Sequence, residues 1–179
     1  MLIDSGTGTN KQAGVDDENH LMVASITRAK MAAVSRLHGQ AYAWTAYVDW
    51  GADKNALWLR NDSDIKILFI EKINIYVPAA AVVEIWVGSG NTVGGTVVTG
   101  LNLNRASNNV ANASCRHTNT NVDAGAGMSL LQTVLYAANT PNPLNFSEAL
   151  LLGRNSEVAI NIVTDVSTTA ITIFGYFHE

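Results

Sequence analysis

At 179 residues the chain has room for one ordinary domain with an arm attached, and a hydrophobic fraction of 47% gives it a core to bury. Only 15% of the residues are charged, against about 25% in an average soluble domain, so much of the surface is covered by neutral polar groups or hidden in contacts. A net charge of −4 without a basic cluster argues against nucleic-acid binding, the single Cys115 rules out an internal disulfide, and no apolar run approaches a membrane span.

The charge is unevenly spread. Every lysine lies at or before Lys72, and from Ile73 onward Arg105, Arg116 and Arg154 are the only Lys or Arg. Asn, Thr, Ser and Gly fill the space, and such groups suit surfaces that pack against copies of themselves. Met1 to Asn10 has neither a basic start nor an apolar run, so no signal peptide is expected, and a chain made in a reducing cytoplasm fits the lone thiol.

In chain order, Asp4 to Asn10 is turn-rich, and Asp16-Asp-Glu-Asn19 leads into the apolar patch Leu21-Met-Val23. Ser25 is a fitting N-cap for a helix over Ile26 to His38, with Gly39 placed as its C-cap. Ile26, Ala29, Ala33 and Leu37 fall on one face of that helix and are expected to dock it onto the rest of the chain or onto a neighbour. The chain therefore divides into residues 1–40, an arm and a helix, and residues 41–179, a β domain.

From Tyr42 the hydrophobic period changes to two. Strands are predicted at Ala56 to Arg60, Ile65 to Val77, Ala81 to Val87, Thr96 to Thr99 with Leu101 to Leu103, Met128 to Tyr136, Ala149 to Leu152, Val158 to Val163 and Ala170 to Phe174. Within the second of these, Ile65, Ile67, Phe69, Ile73, Ile75 and Val77 are read as the apolar positions that alternate with polar ones. Short strands at regular spacing without crossover helices mean antiparallel sheets, and the count suits an all-β jelly-roll sandwich.

Candidate chemistry is sparse. Cys115 and His117 share a strand face but lack an orienting partner, so a buried thiol beside a polar histidine is the better reading. His20, His38, His117 and His178 have no ligand spacing, and the carboxylates of Asn61-Asp-Ser-Asp64 and Asp16 to Glu18 fit turn chemistry better than a calcium loop. The glycine-rich Gly88 to Gly95 precedes a strand and lacks the Lys-Ser/Thr ending of a phosphate loop. Trp44, Trp50, Trp58 and Trp86 with Tyr42 and Tyr47 are read as packing residues, a sugar-stacking platform being the alternative. No cofactor or metal is expected, and an enzymatic role is not.

Two segments carry a resemblance. Gly6 to Leu21, with its Gly-Thr-Gly start, Ala13-x-Val15-Asp16 and Asn19-x-Leu21, resembles the N-terminal arm of tailed-phage virion proteins. Gly100 to Asn109, with its Leu103-Asn-Arg105-x-Ser107-x-Asn109, is similar to the segment before the final hairpins of the same proteins, and Leu150 to Gly153 and Phe174 to Phe177 are similar to their closing strands. The resemblance implies a jelly-roll virion structural protein, trimeric, set on the capsid as a decoration (cement) protein that binds the major capsid protein. A tail, baseplate or head-fibre position is the alternative, and a carbohydrate-binding adhesin-like module a further one. On this reading Arg105 and Arg116 pair with carboxylates across a subunit interface, and the arm from Asp4 to Leu21 orders on assembly.

Overall fold

The computed structural model describes residues 14–15, 21–22, 30–50, 54–90, 94–117, 127–164 and 166–178. It is an antiparallel β-sandwich with one short helix. Two small strands, β1 (Gly14–Val15) and β2 (Leu21–Met22), pair with each other. Helix α1 (Lys30–His38) follows, and then β3 (Ala41–Trp50), β4 (Lys54–Asn61), β5 (Ile67–Tyr76) and β6 (Ala81–Ser89). The short strands β7 (Thr96–Val97), β8 (Leu101–Asn102) and β9 (Ala113–His117) lead to β10 (Met128–Tyr136), β11 (Asn142–Leu152), β12 (Ser156–Ile162) and β13 (Val166–His178).

One sheet has the order β10-β6-β12-β4-β9-β7 and the other β11-β5-β13-β3-β8. The eight long strands pair concentrically: β3 with β13, β4 with β12, β5 with β11 and β6 with β10. Cross-links of β13 to β5 and β12 to β6 join these pairs into sheets. The facing surfaces bury Tyr42, Trp44, Leu57, Leu59, Leu68, Ile70, Ile73, Ile75, Val83, Ile85, Val158, Ile160, Ile171 and Ile173 in one core.

The alternation expected along Ile65 to Val77 is corrected by a bulge. Ile70 pairs with Gly175 and Lys72 with Phe174, which leaves Glu71 as the extra residue. One extra residue reverses which parity faces inward. Leu68 and Ile70 are therefore buried upstream and Ile73, Ile75 and Val77 downstream, while Ile65 is 77% exposed and Ile67 is also exposed. Gly175 fits this site because a Cβ there would sit 2.7 Å from the Phe69 carbonyl oxygen.

Gly39 ends the helix at φ 60°, donating its N–H to Ser35 O at 3.0 Å, as a helix-terminating glycine does. The helix lies on the outer surface of the five-stranded sheet. Val34 and the partly buried Met31 cover Ala41 and Tyr176, beside Phe69, whose ring stacks on Tyr176 at 5.0 Å. The expected stripe is thus turned. Ala33 is only half-buried and Leu37 is 67% exposed, whereas Ile26 and Ala29 lie outside the described residues. Burying Met31 and Val34 removes more apolar area from water than burying an alanine at position 33. Val34→Ala should cost about 1–2 kcal/mol and Leu37→Ala under about 0.5 kcal/mol in chemical denaturation, the reverse of what the sequence stripe implies.

Candidate assembly surface

Cys115 and the Asn61 to Asp64 carboxylates have local explanations, whereas His20 and Asp16 to Glu18 lie outside the described residues. Cys115 is buried on the inner face of β9, and loss of hydration pushes its thiol pKa well up, away from the thiolate a nucleophile needs. Among the described residues no three His, Cys, Asp or Glu side chains gather to hold a metal. No helix of the described residues is long and apolar enough to cross a membrane.

The Asn61 to Asp64 segment is a structural turn. Asn61 is fully buried, its Nδ2 donating to Lys66 O and Leu152 O, both at 2.8 Å, while its Oδ1 accepts from Ser63 N at 2.9 Å. Asp62 is bridged by Arg60 Nε at 2.7 Å and by the Ser114 hydroxyl at 2.5 Å, and Asp64 by Arg154 at 2.8 Å. These carboxylates already have partners.

The tryptophans separate into two environments. Trp44 and Tyr42 point into the core, with ring centroids 5.8 Å apart. Trp58 lies on the outer face of the six-stranded sheet, where Ala159 and Met128 are buried and Trp86 partly so. The Trp58 indole N–H donates to Glu157, itself fully buried, at 3.0 Å, and Trp86 donates to Glu84 at 3.0 Å. Arg60 lies over the Trp58 ring at 5.3 Å. Tyr47 is 73% exposed on the opposite sheet, and the Trp50 side chain lies outside the described ones. The residues grouped as a sugar platform therefore do not form one surface.

Arg105 is exposed in the turn after β8, and Arg116 on β9 donates from Nη1 to Gly95 O at 3.1 Å, beside the paired strands β7 and β9. Apart from Gly14–Val15 and Leu21–Met22, the arm lies outside the described residues.

The feature that sequence reasoning passed over is a sheet edge. β10 ends one sheet and β11 the other, and since the two orders run in step these strands form corresponding edges of the sandwich. Between Asp123 and Glu148 the sequence has no charged residue at all. Within this stretch β10 presents Leu130, Leu131 and Leu135 to the outside, Leu135 being 80% exposed, and beyond Glu148 β11 adds the exposed Leu151. β10 carries no lysine or proline, the devices with which an edge normally discourages pairing, and its one irregularity falls between Leu130 and Gln132. The signal was visible as a charge-free run, but only the topology shows that it lies at an edge. No family model and no curated protein matches the chain.

Proposed function

We propose that this chain is a non-enzymatic structural protein of a phage virion, a trimeric decoration protein that binds the major capsid protein and stabilises the head. The observation that carries the assembly part is the uncharged edge strand β10 with its outward leucines. An edge strand left bare in a monomer invites pairing or aggregation, so a chain that keeps one without a charge is built to have it covered. In a symmetric oligomer the same surface is covered in every copy.

The concentric strand pairing supports a jelly roll on this reading: it is the pattern of one long hairpin rolled up so that its two arms remain adjacent. The likeness of Gly6 to Leu21 and Leu103 to Asn109 to virion proteins supplies the location. Exposed Leu37 on α1 offers a second apolar contact for a capsid neighbour.

Light scattering on the full chain is expected to give a trimer. Leu135→Asp should reduce it to monomers without unfolding, because the site is exposed in one chain and a carboxylate in a packed contact loses its hydration at a cost of several kcal/mol. Added to capsids lacking it, the wild-type protein should raise their rupture temperature and Leu135→Asp should not. A wild-type monomer that neither binds nor stabilises capsids overturns the proposal, and labelling found only on the tail would move the protein to a tail or fibre position.

A further inference from the structure

Helix α1 covers one end of the outer surface of the five-stranded sheet, above Ala41 and Tyr176. The other end is a groove of about 460 Å³, within the size range of small-ligand sites. Strand register fixes what lies there. Lys72, Asn74 and Tyr76 project from β5 at every second position. On β13, Tyr76 faces Ala170 and Asn74 faces Thr172. On β3, Ala170 faces Tyr47 and Thr172 faces Thr45.

The surface therefore has two rows. In the first, Tyr76 and Tyr47 stand on either side of the small Ala170, two strand spacings or about 10 Å apart. In the second, Pro143, Asn74, Thr172 and Thr45 follow one another across four strands. The hydroxyls of Thr172 and Thr45 are 3.0 Å apart, and a pair of hydroxyls sharing one proton keeps a second proton for another acceptor.

We propose that this surface is a binding site for a neutral oligosaccharide. The row of carboxamide and hydroxyl groups both donates and accepts, as a sugar's hydroxyls require, and the tyrosine rings offer apolar faces to its C–H bonds. No acid lines the groove among the described residues, and its one cation, Lys72, holds its Nζ 4.7 Å from the centre of the Phe174 ring, which argues against an anionic ligand. The groove crosses strands whose backbone is already paired on both sides, β5 between β11 and β13 and β13 between β5 and β3. Over β5 and β13 strand addition by a peptide finds no free N–H or C=O, so recognition on these two strands must come from side chains.

Of the aromatic residues that the sequence suggests as a sugar platform, only Tyr47 stands on this face, flanking the groove from β3 across Ala170, while Pro143 and Asn145 carry the groove onto β11. The test is a glycan array probed with the full chain, followed by solution titration with the best neutral saccharide. Binding to neutral glycans is expected. Tyr47→Ala and Asn74→Ala should each weaken it at least about tenfold, since each removes a ring face or a ligand hydrogen bond, without moving the melting temperature appreciably. Leu135→Asp, titrated alongside, should leave the per-chain affinity unchanged, which separates this site from the assembly edge. A flat array, binding confined to acidic glycans, or full affinity in both groove variants overturns the proposal.

Discussion

Trp44→Ala is expected to lower the unfolding free energy by about 3–5 kcal/mol, a large part of the about 5–15 kcal/mol that holds a typical domain together. Trp44 is fully buried on the inner face of β3 and packs beside Tyr42. Its indole also fills the space above Gly100, where a Cβ would sit 2.6 Å from Nε1. The indole N–H has no hydrogen-bond partner among the described residues, so the loss comes from apolar area and the cavity left behind, with no polar bond to forfeit. Trp44→Phe should accordingly recover much of the stability. Denaturant unfolding that follows the midpoint at constant slope would measure both, and a loss under about 1 kcal/mol for alanine would mean that Trp44 does not sit in the core. The same burial makes Trp44→Ala unsuitable as a probe of ligand binding, because any lost binding would report lost folding.

Asn61→Ala is expected to cost about 3 kcal/mol for a different reason. Its carboxamide satisfies two backbone carbonyls and one backbone N–H at the point where β4 turns away and Leu152 ends β11. Alanine leaves all three groups short of a partner in a buried place, and each such group costs about 1–3 kcal/mol unless water reaches it. Asn61→Asp keeps the shape and the bond to Ser63 but sets an acceptor against the carbonyls of Lys66 and Leu152, so it should be at least as damaging. A thermal shift of only a degree or two in either variant would show that the turn stands without this residue.

The strands are legible because their apolar residues alternate and their ends carry turn residues: Met128 to Tyr136 has the same bounds in sequence and structure. Elsewhere sequence and structure part where a single residue breaks the period. Glu71 is one such place, since a bulge is decided by the facing strand, at Gly175, and β13 lies about a hundred residues further on. The helix buries a different face from its apolar stripe because a pattern of apolar letters does not weigh side-chain area, and Val34 offers more to bury than Ala33. Glu157 is not recognisable in the sequence as a buried acid, because its partner Trp58 is brought beside it only by the pairing of β12 with β4. The assembly edge is half visible: the absence of charge between Asp123 and Glu148 is plain in the sequence, but not that it marks the rim of both sheets.

The concentric pairing also sets when this protein can fold. Of the eight long strands described, β3 leaves the ribosome first, and its long partner, β13, follows all the others. A sheet in which the earliest strand waits for the latest is rich in distant contacts, and such topologies close slowly. In the interval the leucines of β10 and the unpaired inner faces of β3 to β6 are open to other chains at the same stage. Production at low temperature and slow synthesis should therefore raise the soluble yield, and any truncation that removes β13 should give insoluble protein however intact the remaining sequence.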